Sequence, residues 1–65
     1  MTSIEIYRED GSSVLIFKDC EMVSEVNVYL RTFQPFAEKA YSSFSDGCRY
    51  KHIRRENGFF KAIPI

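Results

Sequence analysis

Apolar and polar residues alternate clearly in the first part of the chain. Residues 3–8 place Ile4 and Ile6 on one face of a strand and are rich in β-forming residues. Residues 9–12 read Glu-Asp-Gly-Ser, which is typical of a turn because Asp-Gly tolerates the positive φ of a tight hairpin. Residues 14–17 read Val-Leu-Ile-Phe and are apolar on both faces, which favours a central strand. The pattern predicts an N-terminal β-hairpin over about residues 3–18.

A second hairpin is predicted at the other end, over about residues 49–64. Asn57-Gly58 lies between two β-forming stretches, and this dipeptide is the strongest short-range hairpin signal. A two-residue turn there would pair Glu56 with Phe59 and place Arg54 directly opposite Lys61. Pro64 has no backbone N–H, so its strand is expected at the edge of a sheet.

The segment 22–33 fits two interpretations. As a strand, it would alternate Val26, Val28 and Leu30 with Asn27, Tyr29 and Arg31. As a helix, it would align one apolar stripe, formed by Met22, Val26, Tyr29, Leu30 and Phe33. The three valines and the other mediocre helix formers favour the strand.

The segment 35–45 is predicted to be a helix. Proline is favoured in the first helical turn, so Pro35 is a plausible start, and Asp46-Gly47 is a plausible stop. The apolar stripe of this helix would contain Phe36, Ala37, Ala40, Tyr41 and Phe44. We therefore expect an α+β fold, a single small domain over residues 1–65 in which the helix covers the sheet.

Length and composition limit what the chain is expected to do. A chain of 65 residues buries a modest share of its surface, so its stability is expected to depend on a second copy or a protein partner. No signal peptide and no membrane-spanning run is visible, and Cys20 and Cys48 cannot build a disulfide framework. We therefore expect free thiols and a cytoplasmic location, with no contact with a membrane.

The sequence contains no motif for catalysis or for a cofactor. Cys48 and His52 lie four residues apart, and a strand separates such residues by about 13 Å. Cys20, Cys48 and His52 match no compact zinc-ligand spacing, and the three glycines lie in separate turns. We expect no enzyme activity, no cofactor and no metal site.

Charge is unevenly distributed although the net charge is zero. Residues 1–27 contain two bases and six acids, whereas residues 28–65 contain seven bases and three acids. Zero net charge argues against a general nucleic-acid-binding protein, because such domains are usually basic. If the two halves form different surfaces, the resulting dipole would steer a charged partner.

The basic C-terminal hairpin is the candidate binding surface. Aromatic residues and arginine are enriched at the energetic centres of protein interfaces, which favours a non-enzymatic accessory protein that inhibits or adapts a larger assembly. The alternative is a nucleic-acid-binding module, with the basic residues on phosphates and the aromatic residues on bases. The candidate residues for either partner are Arg49, Tyr50, Lys51, His52, Arg54, Arg55, Phe59, Phe60 and Lys61.

Overall fold

The computed structural model describes residues 1–65. It contains a five-stranded antiparallel sheet that one helix covers on one face. The strand order is β2-β1-β3-β4-β5, so β2 and β5 are the two edges. No helix is long and apolar enough to span a bilayer. The predicted α+β class is confirmed. In chain order the elements are β1 (Thr2–Arg8), β2 (Ser13–Lys18), α1 (Val23–Phe33), β3 (Ala37–Ser43), β4 (Arg49–Arg54) and β5 (Phe60–Pro64).

The two predicted terminal hairpins are confirmed, and a third hairpin joins β3 to β4. All three turns have the same construction. The first residue of five donates its N–H to the carbonyl of the fifth, at 2.8 to 2.9 Å, and the fourth residue is a glycine with positive φ. The Asp or Asn before that glycine accepts the N–H of the fifth residue. These glycines are Gly11, Gly47 and Gly58, with φ of 88°, 91° and 86°.

The predicted register of the C-terminal hairpin is wrong by one residue. The loop contains three residues, Glu56 to Gly58, because the bulged Gly58 adds one position to the expected turn. Arg54 therefore pairs with Phe60, and Ile53 pairs with Lys61. Since neighbouring strand residues point to opposite faces, Arg54 and Lys61 lie on opposite faces, and their like charges do not meet.

The helix predicted over residues 35–45 is wrong, and so is the preferred strand over residues 22–33. The helix is α1, which buries Val26 and Leu30 against the sheet. Pro35 lies in the turn after α1, a common place for proline because it cannot continue a helix. Residues 37–43 form β3, and Asp46-Gly47 turns the chain into β4 instead of ending a helix.

The buried helix-side positions at the centre of β3 carry small side chains. Ala40 and Ser42 are fully buried on the helix side, and Tyr41 and Ser43 point to the other side. The backbone of α1 comes closest to the edge strand β5. The core consists mainly of apolar residues from β1, α1, β3 and β5, namely Ile4, Ile6, Cys20, Val26, Leu30, Ala37, Ala40 and Phe60.

The prediction that residues 14–17 form a central strand is wrong, because β2 is an edge. Val14 and Ile16 are half-buried on the helix side, whereas Leu15 and Phe17 are exposed. Their apolar character therefore does not reflect burial on both faces. The edge position predicted for the strand of Pro64 is confirmed.

Candidate interaction face and buried polar network

The sheet face opposite α1 is covered by no other element, and we call it the open face. Alternate residues of all five strands lie on it. The strand register arranges them in three rows. The rows are Phe17-Ser3-Ser43-Arg49-Ile65, Leu15-Glu5-Tyr41-Lys51-Ile63 and Ser13-Tyr7-Lys39-Ile53-Lys61.

Large apolar side chains are exposed near both edges of the open face. Leu15 and Phe17 of β2 are 55% and 62% exposed. A second group consists of Ile53 on β4, Ile63 on β5 and Ile65 directly after β5, with Ile65 64% exposed. Several large aliphatic residues exposed on one face are a mark of a protein interaction surface.

Basic side chains lie between and beside these apolar groups. Lys39, Arg49, Lys51 and Lys61 belong to the rows of the open face, whereas Glu5 is the one acid in those rows. The one ion pair of the chain joins Arg54 to Glu9 elsewhere. The four bases of the open face therefore have no carboxylate partner within the chain.

Two tyrosines fix the centre of the open face. The Tyr7 and Tyr41 rings meet edge to face, with centroids 5.9 Å apart, and Lys39 Nζ lies 5.6 Å from the centroid of the Tyr7 ring. The Tyr7 hydroxyl donates a hydrogen bond to Glu5 Oε1 at 2.6 Å, which raises the pKa of Tyr7. These contacts hold both rings in place.

The nine residues predicted from the basic hairpin are divided between two faces and one turn. Arg49, Lys51 and Lys61 lie on the open face, as a binding role requires. The others on β4 and β5 point towards the helix side because neighbouring positions alternate. This helix-side group consists of Tyr50, His52, Arg54 and Phe60.

The helix-side residues of this group contribute to the fold. Arg54 donates hydrogen bonds to the Pro35 carbonyl at 2.8 Å and to Glu9 Oε1 at 2.6 Å. Tyr50 packs edge to face on Phe44, with ring centroids 5.8 Å apart. Phe60 is buried in the core. None of the three is available as a free contact on the open face.

Arg55 and Phe59 belong to the β4–β5 turn. The Arg55 N–H donates to the Phe59 carbonyl and closes the turn. The guanidinium of Arg31 on α1 lies 3.9 Å from the centroid of the Phe59 ring, a cation–π contact between the helix and the turn. Phe59 is therefore occupied by an intramolecular contact although it is partly exposed.

Most apolar and tyrosine residues of the open face were missed by the sequence prediction. Lys39 and Tyr41 were placed on a helix, so their alternation over residues 37–43 was not used. Once that segment is assigned as a strand, the period of two places both residues on one face. The other missed residues are Leu15, Phe17, Ile53, Ile63 and Ile65.

A buried polar network joins the helix to the sheet on the other side. His52 is fully buried, and its Nδ1 lies 2.6 Å from Asn27 Oδ1 on α1. Its Nε2 lies 2.7 Å from Ser42 Oγ on β3. An amide oxygen only accepts, so His52 Nδ1–H donates to Asn27, and neutral Nε2 accepts from the Ser42 hydroxyl. Burial lowers the pKa of His52 to about 4, which keeps the ring neutral at physiological pH.

The order Ser42, His52, Asn27 is that of a nucleophile, a base and an orienting group. Ser42 is fully buried, however, so its hydroxyl is out of reach of a substrate in this structure. Both nitrogens of His52 and both of its partners are satisfied, and no buried side-chain polar atom lacks a hydrogen bond. The network is suited to fixing α1 on the sheet.

The remaining candidate ligands are dispersed. Both cysteines are free thiols, with Cys20 buried and Cys48 exposed. Burial raises the pKa of Cys20, and a hydrogen bond and the charge of Asp46 raise the pKa of Cys48. Neither thiol is activated as a thiolate. The His, Cys, Asp and Glu side chains form no group of three or more that could hold a metal ion.

Two regions therefore stand out: the open face, which is exposed and chemically mixed, and the buried network, which is closed. Comparisons with protein-family models, curated proteins and solved structures found no match for this chain.

Proposed function

We propose that this chain is a non-enzymatic protein-interaction module whose open face binds an acidic, partly apolar protein surface. The observation that carries the proposal is the combination of four bases without carboxylate partners and five exposed large apolar residues on one sheet face. Exposed apolar area supplies affinity, and unpaired charges of one sign select a partner of the opposite sign.

A protein partner fits this face better than a nucleic acid does. The exposed apolar residues of the open face are Leu15, Phe17 and three isoleucines, and only Phe17 has an aromatic ring. Aliphatic side chains do not stack on bases, and Tyr7 and Tyr41 are held by each other. The zero net charge of the chain also gives little long-range attraction to phosphate.

The role that follows is that of an accessory protein, an inhibitor or an adaptor of a larger assembly in the cytoplasm. Free Cys20 and Cys48 suit a reducing compartment. The chain acts by occupying a partner surface, and the buried Ser42-His52-Asn27 network stabilises the module instead of supplying chemistry. Self-association at an edge is compatible with this role because it leaves the open face uncovered.

A selection of random displayed peptides against the immobilised chain tests the proposal. We expect enriched peptides that combine Asp or Glu with Leu, Ile or Phe. Lys51→Glu on the open face should weaken their binding about tenfold or more, since a repulsive charge replaces an attractive one. Arg55→Glu is the matched control, because it makes the same charge change in the β4–β5 turn, and it should leave affinity within about twofold.

Two results would overturn the proposal. In the first, peptide binding is insensitive to Lys51→Glu and is lost with Arg55→Glu, which would move the site to the turn. In the second, the wild-type chain binds random single strands or duplex at low-micromolar affinity in physiological salt. That result, with a salt slope reduced by Lys51→Ala, would favour the nucleic-acid alternative.

A further inference from the structure

The two edges of the sheet differ in how they are protected. Directly after β5, the Ile65 N–H donates to the Arg49 carbonyl. Because hydrogen-bonding residues alternate along a strand, the backbone N–H and carbonyl groups of Lys61, Ile63 and Ile65 point towards β4. The outward positions are Phe60, Ala62 and Pro64. Proline offers no N–H there, and α1 packs against β5. A further strand therefore finds an incomplete ladder on this edge.

The β2 edge has a complete ladder and no such protection. The Arg8 N–H donates to the Ser12 carbonyl at 2.9 Å, and from there every second residue of β2 bonds to β1. The backbone groups that bond to β1 are therefore those of Val14, Ile16 and Lys18. Ser13, Leu15 and Phe17 direct their N–H and carbonyl groups away from β1. Residues 13–17 contain no proline, no charge and no bulge. An exposed apolar edge of this kind is a template for another strand.

The β2 edge is also self-complementary. If two copies pair antiparallel with Leu15 opposite Leu15, the outward groups of Ser13 meet those of Phe17 in the second copy. This register uses all three outward residues of each strand and gives about six hydrogen bonds. It also places Val14 opposite Ile16 on the helix side, so that two half-buried aliphatic residues cover each other.

Within the paired segment, charge does not oppose this register. The paired segment itself has no charged residue, so no like charges meet across the junction. Beyond it, Lys18 and Asp19 of each copy both come next to the exposed Glu9-Asp10 turn of the other, so attraction by Lys18 and repulsion by Asp19 offset each other there.

We propose that two copies of this chain associate through antiparallel pairing of their β2 edges, centred on Leu15, to form one ten-stranded sheet. The two-fold axis of such a pair is perpendicular to the sheet, so both helices lie on one side and both open faces on the other. Leu15 and Phe17 of both copies then lie at the middle of a continuous face. This association does not depend on the proposed function of the open face.

Solution mass over a hundredfold dilution, by sedimentation or light scattering, tests the proposal. The wild-type chain is expected to be dimeric at high concentration and to dissociate on dilution. Leu15→Pro removes an outward N–H that β1 does not use, and it should raise the dissociation constant about tenfold or more. Ile63→Lys, in the same row but on β5, is the control and should leave the dimer intact.

A charge pair tests the register itself. Phe17→Lys should weaken the dimer, and adding Ser13→Glu should restore it, because residue 13 of one copy faces residue 17 of the other. Within one copy these two positions are about 13 Å apart, so they cannot compensate each other there. Circular dichroism confirms that each variant is folded.

Three outcomes would overturn the proposal. The first is a folded wild-type chain that stays monomeric at the highest concentration. The second is a dimer that survives both Leu15→Pro and Phe17→Lys. The third is a dimer that Ile63→Lys abolishes as strongly as Leu15→Pro, which would assign self-association to the open face.

Discussion

His52 Nδ1 on β4 lies 2.6 Å from Asn27 Oδ1 on α1, and this bond joins the helix to the sheet. The two residues are 25 positions apart in the chain. Burying a neutral imidazole costs free energy unless its nitrogens have hydrogen-bond partners. Asn27 is the partner of one ring nitrogen of His52, and Ser42 is the partner of the other. The position of the helix on the sheet therefore depends on a polar contact as well as on Val26 and Leu30.

Asn27→Ala should destabilise the chain. It leaves the His52 N–H without its partner in a buried place, which costs about 1 to 3 kcal/mol of unfolding free energy. Urea denaturation followed by circular dichroism measures the change. Ser24→Ala is the control because Ser24 is exposed on the same helix, and it should change stability by about 0.5 kcal/mol or less. Equal midpoints for Asn27→Ala and Ser24→Ala would contradict the structural role of the network.

Stability should fall as the pH is lowered from about 6.5 towards 4. Burial lowers the pKa of folded His52 to about 4, whereas the unfolded value is near 6.5. Between these values the unfolded chain binds a proton that the folded chain does not, so acid favours unfolding. The contribution is complete above pH 6.5, and its loss levels off below 4 at up to about 3 kcal/mol.

The chain has one histidine, so its ring signal in a proton NMR spectrum needs no assignment. We expect this signal to titrate near pH 4 in the folded protein. The urea midpoint of His52→Gln should depend less on pH over the same range than the wild-type midpoint does. A ring that titrates near 6.5 in the folded state would contradict the buried, neutral imidazole.

The sequence predicts the ends of this fold well because their signals are local. Asp10-Gly11 and Asn57-Gly58 lie inside the turns they indicate, so the two terminal hairpins can be recognised without tertiary information. The register of the second hairpin is not local in this sense. It depends on whether Gly58 forms part of a two-residue turn or a bulge, and both are compatible with Asn-Gly.

The middle of the chain is where sequence prediction fails. The valines of residues 23–28 have a modest helix propensity, and Pro35 is a good start signal for a helix. Tertiary packing overrides both. A helix at 23–33 buries Val26 and Leu30 and places Asn27 within hydrogen-bond distance of His52 on β4. Propensity does not contain this long-range fit.

The candidate site is predicted in part for the same reason. The basic character of residues 49–61 is visible in the sequence, and three of the nine residues named there lie on the open face. The division between the two faces depends on the register. β2 adds Leu15 and Phe17, β1 and β3 add the two tyrosines and Lys39, and only the strand order β2-β1-β3-β4-β5 brings these residues together.

Gly58→Ala should destabilise the C-terminal hairpin. Gly58 has φ of +86°, and a Cβ added there would meet no atom within 4 Å, so the cost is backbone strain alone. That strain is about 1 to 2 kcal/mol. Gly58→Asn should lose less, because asparagine enters the left-handed region more readily than alanine. Thermal unfolding of both variants and the wild type measures which variant loses more stability. A Gly58→Ala variant as stable as the wild type would contradict the bulged turn.

Arg54→Ala and Lys51→Ala separate fold from binding within one strand. Arg54 holds the Pro35 carbonyl and Glu9, and its loss should cost about 1 kcal/mol. The ion pair to Glu9 is exposed, with 30% of the Arg54 side chain and 69% of the Glu9 side chain accessible, so Glu9→Gln alone should cost less.

Lys51 has no carboxylate partner, so Lys51→Ala should change stability by about 0.5 kcal/mol or less. Urea midpoints at low and high salt measure all three variants, and salt should reduce only the part of the Arg54 effect that Glu9→Gln reproduces. If Lys51→Ala destabilises the chain as much as Arg54→Ala, the bases of the open face serve the fold and are not free for a partner.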